Sequence, residues 1–239
     1  MKQMINLNKM LIVCMMTVGY VIQGRAQEKV EASAGADLVS SYIWRGTDCG
    51  GISFQPNMSV SYKGLMIGAW GSVSVNKEDT KELDLILNYK TGGLSLGVTD
   101  YWFFPSDQTA QVGYFKYGAH NTQHVFEVNA AYDFGVMAIS WNTNFAGADY
   151  YNADGKRSYS TYIALSAPFK LGGLEWNAEV GLTPWEGLYA NKFNVTNLSL
   201  KASKEIAITD RFSLPLFAQL TFNPYTQGAY FVVGLSLQA

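Results

Sequence analysis

Two histidines and a nearby glutamate are the residues of this sequence whose types and spacing could do chemistry. His120 and His124 are four residues apart and Glu127 follows them, and imidazole and carboxylate groups are both zinc ligands. Alternatively, His124 could act as the base for a loop hydroxyl such as that of Thr122. No nucleophile motif accompanies these residues, and no helix gives them a common face. We therefore expect a solvated polar loop here, with no catalytic residue, no metal and no cofactor.

Alternation of apolar and polar side chains organises the rest of the chain. In residues 52–62, for example, Phe54, Met58 and Val60 share one face, and Ser53 and Gln55 share the other. A period of two predicts a β-strand, and no helical periodicity of comparable length appears. We predict 12 strands, at residues 34–45, 52–62, 65–75, 82–89, 94–104, 126–132, 137–145, 161–169, 174–183, 193–203, 212–222 and 229–239.

The predicted connections alternate between short and long. Short turns are expected at 63–64, 91–93, 133–135 and 170–173, and longer links at 46–51, 76–81, 105–122, 146–157, 184–192 and 223–228. Residues 204–211 form the exception, a long link where a short turn is expected. Short turns on one rim and long loops on the other are typical of outer-membrane barrels. An even number of strands also lets the last strand pair with the first, which removes both sheet edges.

The composition indicates which face meets water. Only 15% of the residues are charged, against about 25% in soluble globular proteins. The exposed faces of a soluble protein carry about 25–35% charged residues. In a soluble β-sandwich or lipocalin the polar faces would lie outside, but here they are mainly Ser, Asn, Gln, Gly and Thr. Several apolar faces end in aromatic residues, as interfacial girdles do. We predict an all-β, transmembrane, antiparallel β-barrel of about 12 strands.

The first 26 residues resemble a secretory signal. Lys2 and Lys9 precede an uncharged stretch, and Gly24-Arg25-Ala26 offers small residues at a cleavage site, as exported proteins do. The stretch is shorter than the ~20 residues of a spanning helix. We therefore predict a signal peptide at 1–26 and a barrel at 27–239. The net charge of −2 and the lack of a basic block argue against nucleic-acid binding.

A few charged residues fall on the polar strand faces, where they would point into the barrel. Charges that face lipid are costly, about 2–4 kcal/mol for Arg or Lys at the midplane. The predicted lumen-lining candidates are Asp37, Arg45, Asp84, Glu127, Glu179 and Lys201. Their acidic excess favours cations or neutral polar solutes. Pairs of these charges could also brace a plugged barrel.

One stretch of the chain carries a family resemblance. It opens with Ser40-Ser41-Tyr42-Ile43-Trp44-Arg45-Gly46, and it continues with Gln55, the small residues 68–72, the segment 82–89, Phe126-Glu127 and Tyr132. This order resembles the TorF-like porin family of bacterial outer-membrane proteins. The resemblance implies a barrel with a channel role and supplies no catalytic residues.

The sequence thus predicts a non-enzymatic outer-membrane porin that passes small polar or cationic solutes by passive diffusion. Its expected partners are outer-membrane lipid, those solutes and the barrel-assembly machinery. Two alternatives stay open: a surface binding or adhesion barrel with a plugged lumen, and an outer-membrane lipid hydrolase that uses His124.

Overall fold

The computed structural model describes residues 29–79, 81–104, 113–119, 121–209 and 212–238. The predicted signal peptide and His120 lie outside these residues. Within the described part of the chain, no helix is long and apolar enough to cross a membrane.

The described residues form β-strands joined by turns and links. The strands are β1 (Glu31–Val39), β2 (Tyr42–Trp44), β3 (Thr47–Gly50), β4 (Ser53–Tyr62), β5 (Leu65–Ser74), β6 (Lys81–Thr91), β7 (Leu94–Phe104), β8 (His124–Asp133), β9 (Ala138–Gly147), β10 (Thr161–Leu171), β11 (Leu174–Thr183), β12 (Asn194–Thr209), β13 (Phe212–Asn223) and β14 (Gly228–Gln238).

Strand β1 and strands β4 to β14 close into one antiparallel barrel. Each barrel strand pairs with its neighbours along the chain, and β1 also pairs with β14, from Gly35 opposite Gln238 to Val39 opposite Gly234. This pairing completes the backbone hydrogen bonding around the ring, so no barrel strand is left as an edge. The prediction of a 12-stranded antiparallel barrel is confirmed.

The barrel is apolar outside and polar inside. Outward side chains such as Met58, Ile67 and Phe231 are 61–64% exposed, whereas the inward Ser72 and Thr221 are 1% and 0% exposed. A soluble protein has the opposite arrangement, with large apolar side chains inside. The apolar face of the alternation is therefore the outer wall of the barrel.

Tight turns and long links occupy opposite rims. The short-turn rim carries the connections at 63–64, 92–93, 134–137 and 172–173. The long-link rim carries those at 40–52, 148–160, 184–193 and 224–227, and the described residues 75–79 and 121–123 of two further links. The predicted long link at 204–211 is wrong. Most of it, through Thr209, extends β12 in pairing with β13, across a bulge after Ala207.

The first predicted strand is also wrong in its second half. Strand β1 ends at Val39, and Ser40 donates the next backbone bond to the Val233 carbonyl. Tyr42 to Gly50 then leave the barrel sheet as a separate β2–β3 hairpin. The chain reverses at Arg45 and Gly46, which have φ angles of +51° and +81°. Gly46 tolerates this left-handed conformation because it has no Cβ.

Candidate functional site

The β2–β3 hairpin, residues 42–50, lies across the inside of the barrel. It leaves the wall between β1 and β4, and its tip contacts β13 and β12, which are two and three strands from β1 around the barrel. The Gly46 carbonyl accepts a hydrogen bond from Asn223 of β13 at 3.0 Å. A Cβ on Gly46 would lie 1.9 Å from the Thr196 carbonyl oxygen of β12. The backbone of the hairpin tip therefore lies directly against β12 and β13, and we call this element the lumen hairpin.

Arg45, at the tip of the lumen hairpin, is clamped by Glu127 of β8. Its Nη1 donates to Glu127 Oε2 at 2.6 Å, and its Nη2 donates to Oε1 at 2.9 Å. The Arg45 side chain is 7% exposed and that of Glu127 is fully buried. A buried ion pair is favourable only where further hydrogen bonds satisfy both groups. Glu127 has them, from the Tyr101 hydroxyl at 2.8 Å and the Asn129 amide at 2.7 Å.

Aromatic rings surround the Arg45 guanidinium. Its central carbon lies 4.3 Å from the Trp44 ring centre, 4.9 Å from that of Tyr162 and 5.7 Å from that of Tyr189. Its Nη1 also donates to the Tyr189 hydroxyl. Aromatic faces attract a cation most strongly where water is excluded, so the rings stabilise the buried charge.

Apolar contacts hold the base of the lumen hairpin. Ile43 packs inside the barrel on Val39 and Val232, with Phe217 and Tyr230 beside them. On its other side, the Tyr42 ring lies 5.4 Å from that of Trp70 on β5. The hairpin is thus fixed by an apolar base and a charged tip.

The lumen hairpin separates two halves of the lumen. On β4, the inward Ser53 near the long-link rim is buried, while Ser61 near the short-turn rim is partly accessible. On β6, Glu82 is buried and Asn88 is partly accessible. The lumen is therefore filled on the long-link half and forms an accessible vestibule on the short-turn half.

Two carboxyl groups lie in the filled half. Glu82 and Asp84, on β6, are each 6% exposed, and the Tyr42 hydroxyl of the lumen hairpin lies against Glu82. Among the described residues, neither carboxyl group forms an ion pair. The lumen wall around the hairpin is therefore acidic on the β6 side.

The structure brings some of the sequence-predicted residues together and separates others. Arg45 and Glu127 meet, although Arg45 is on the hairpin tip and not on a barrel strand. Glu179 of β11 accepts hydrogen bonds from the Tyr162 hydroxyl and the Asn197 amide, at 2.9 and 2.8 Å.

The remaining predicted residues lie elsewhere on the barrel. Lys201 of β12 lies 3.8 Å from the Phe217 ring centre. Asp37 of β1 is in register with Gln55 and Ser236, and its carboxylate lies close enough to the Lys201 ammonium for an electrostatic attraction between them. Asp84 lies in the acidic wall described above.

Sequence reasoning missed the tyrosines around Arg45. Tyr101 and Tyr162 stand on the polar faces of β7 and β10, and an aromatic residue at a polar position was the available signal. Tyr189 lies in the 184–193 link, where no periodicity marks it.

His124 is not part of the lumen site. It begins β8 and lies on the outer wall, three residues from the inward Glu127, so the two side chains point to opposite faces. The Thr122 hydroxyl accepts the backbone N–H of His124 at 3.1 Å and does not bond the ring. No group of three or more potential metal ligands is found in the described part of the chain.

No curated protein matches the sequence. Among solved structures, the COG4313 outer membrane channel from Pseudomonas putida F1 is 14% identical, with 92% of this chain and 99% of that chain covered and a TM-score of 0.37. A triple mutant of the Rhodopseudomonas blastica porin is 9% identical, with 88% and 100% covered and a TM-score of 0.37.

The family comparison covers most of the chain. Residues 23–214 match the model of a family described as "Bacterial protein of unknown function (Gcw_chp)". The likeness to TorF-like porins stays a resemblance carried by the motifs quoted above. The chain belongs to the Gcw_chp family of bacterial proteins of unknown function.

Proposed function

We propose that this protein is a bacterial outer-membrane channel for small polar or cationic solutes, narrowed by the lumen hairpin. The observation that carries the proposal is the inverted barrel, with an exposed apolar outer wall and a polar lumen. Backbone groups in lipid must be satisfied internally, which a closed barrel achieves. The bilayer is the environment in which such an outer wall is stable.

The charges of the lumen favour cations over anions. The Arg45 charge is neutralised by Glu127, so it attracts anions weakly. The Glu82 and Asp84 carboxyl groups have no such partner among the described residues. Glu82 and Asp84 lie beside each other on β6 and are joined by a hydrogen bond, so a shared proton leaves one negative charge on the pair. Acidic side chains in a pore favour cations, and we expect Asp84 to set the ion preference.

A single-channel recording in planar bilayers under a KCl gradient tests the proposal. We expect a reversal potential that indicates preference for K⁺, and a smaller preference in Asp84→Asn. Asp154→Asn, on an exposed link of the long-link rim, is the matched control and should leave the preference unchanged. Anion selectivity of the unmodified protein would contradict the acidic-lumen argument.

The lumen hairpin also supports a second candidate function, a surface binding barrel with a plugged lumen. A plug must be held in place and must fill the lumen. The ion pair between Arg45 and Glu127 holds the lumen hairpin, and the long-link half of the lumen is filled. A folded, inserted protein that shows no conductance in the same recording would favour this candidate. Protease shaving of the long links in intact cells should then abolish partner binding.

A further inference from the structure

An ionisable pair, Asp100 and His124, stands on the outer wall of the barrel. Trp102 pairs with His124, Asp100 with Phe126, and Val98 with Val128 along β7 and β8. Val98 and Val128 are exposed on the outer wall, and residues two apart in a strand share a face. Asp100 and His124 therefore occupy positions that are apolar elsewhere on the outer wall.

The chain itself covers this pair. His124 Nδ1 lies 2.7 Å from Asp100 Oδ1, and Nε2 lies 2.6 Å from the Tyr114 carbonyl oxygen. The Tyr117 ring stacks on the imidazole, with centres 4.2 Å apart and an angle of 26°. His124 is fully buried as a result. Residues 113–118, which we call the wall segment, therefore lie on the outside of the barrel and not over its mouth.

The hydrogen bonds of His124 attach the wall segment to the barrel, and we call this attachment the latch. Both ring nitrogens face acceptor oxygens, whereas a neutral imidazole carries a single N–H. The His124–Asp100 pair must therefore hold two protons, and Nε2 donates to the Tyr114 carbonyl. Loss of the imidazole would remove both this bond and the stacking on Tyr117.

The outer side of the wall segment is aromatic. Phe115 is 87% exposed and Tyr117 is 47% exposed. A row of aromatic rings runs from Tyr117 through Phe126 to the exposed Phe145 of β9. The ring centres of Tyr117 and Phe126 are 6.4 Å apart, and those of Phe126 and Phe145 are 6.3 Å apart. This surface is continuous with the apolar outer wall, and aromatic side chains favour the boundary between headgroups and acyl chains.

We propose that the wall segment is a lipid-contacting surface, latched to the barrel by His124 and Asp100. Its partner is the headgroup–acyl boundary of the leaflet on the long-link side. The proposal rests on the membrane location proposed above. It goes further because it assigns the wall segment to the lateral, lipid side of the barrel, away from the solute path.

Nitroxide labels at single cysteines test the placement. In a Cys14→Ser/Cys49→Ser background, labels are attached at Phe115→Cys, at Val60→Cys in the apolar outer wall, and at Asp154→Cys in an exposed link. The proteins are reconstituted in phosphatidylethanolamine–phosphatidylglycerol vesicles. Relaxation by oxygen, which concentrates in lipid, is compared with relaxation by a water-soluble nickel complex. We expect the Phe115 label, like the Val60 label and unlike the Asp154 label, to be relaxed more strongly by oxygen than by the nickel complex.

The outcomes separate this proposal from the membrane location. A Phe115 label that matches Asp154, while the Val60 label reports lipid, overturns the wall-segment proposal alone. A Val60 label that reports water overturns both.

A second measurement tests the latch. Adding His124→Ala to the Phe115-labelled protein should increase label mobility and nickel accessibility. Val128→Ala on the same outer face is the control and should change neither. An unchanged Phe115 label in folded His124→Ala protein overturns the latch. Asp100→Asn, which retains the side-chain shape, provides a milder variant in case His124→Ala does not fold.

Discussion

At the scale of single residues, the position of Arg45 depends partly on the local sequence pattern and partly on contacts with residues that are distant in the chain. The sequence predicts a lumen-facing Arg45 at the end of a barrel strand, whereas the structure places Arg45 at the turn of a separate hairpin. The local pattern is equally compatible with either arrangement. The reversal at Arg45 depends on Glu127 and Asn223, which are 82 and about 180 residues away in the chain. No local signal contains that information.

The Arg45–Glu127 pair leads to a stability prediction. Arg45→Met leaves the Glu127 carboxylate buried without its partner, and removing one member of a buried pair costs about 3–5 kcal/mol. Arg45→Met/Glu127→Gln should recover part of this loss, because no unpaired charge remains. Urea unfolding in detergent micelles, followed by a gel-mobility shift, measures the free energy of unfolding for each variant.

A surface ion pair supplies the matched control for that cycle. Lys170 and Glu175 are 3.1 Å apart near the short-turn rim, and Lys170 is 77% exposed. Exposed pairs contribute about 0–1 kcal/mol, so Lys170→Met should have a small effect. Equal losses in Arg45→Met and Lys170→Met would contradict the buried clamp.

At the scale of elements, Asp79 fastens the base of the lumen hairpin to the neighbouring link. Its Oδ2 accepts the Gly51 N–H at 2.8 Å and the Ser74 hydroxyl at 2.6 Å, and its Oδ1 accepts from the Asn76 amide at 3.0 Å. The Ser74 hydroxyl, followed by the Gly51 N–H, lowers the pKa of the Asp79 carboxyl below its ordinary value. Its contribution to stability is therefore present above the unfolded pKa of about 3.9 and is lost as the pH falls through the folded value.

Titration of the Gly51 amide proton by NMR in micelles checks this sign. The chemical shift of this proton should move as Asp79 is protonated, with a midpoint below about 3.9. A midpoint at or above that value would show that the hydrogen bond from the Gly51 N–H does not stabilise the Asp79 carboxylate. Asp79→Asn should abolish the transition.

The thiol of Cys49 reports whether the lumen hairpin is in place. Burial, with the nearby Glu82 and Asp48 carboxyls, raises the pKa of the Cys49 thiol to about 12. Because the thiolate is the reactive form, alkylation at pH 8 should be slow in a Cys14→Ser background. Asp79→Ala should accelerate it by loosening the hairpin base. Asp154→Ala should not, and equal rates in the two variants would argue against the fastening role of Asp79.

At the scale of the whole molecule, the barrel was predictable from sequence because its driving pattern is local. A wall with a hydrated interior and an apolar exterior imposes a period of two on every strand, and tight turns mark one rim. The length of β12 was missed because residues 204–209 carry both charged and apolar side chains where the strand extends beyond the apolar band. The lumen hairpin was missed because no periodicity distinguishes a strand in the wall from one inside it.

Removing the lumen hairpin tests what it does to the whole channel. Val39 pairs directly with Ser53, so an Asn-Gly turn can replace residues 41–51 and join β1 to β4, as two-residue hairpin turns do. The barrel sheet keeps every paired strand, while Arg45 and Ile43 leave the lumen. Glu127 then faces water, which removes the penalty of an unpaired buried charge. We expect a single-channel conductance well above that of the unmodified protein.

Deletion of residues 152–156, in the 148–160 link of the same rim, is the control and should leave conductance unchanged. Equal conductance with and without the lumen hairpin would show that the solute path does not pass it.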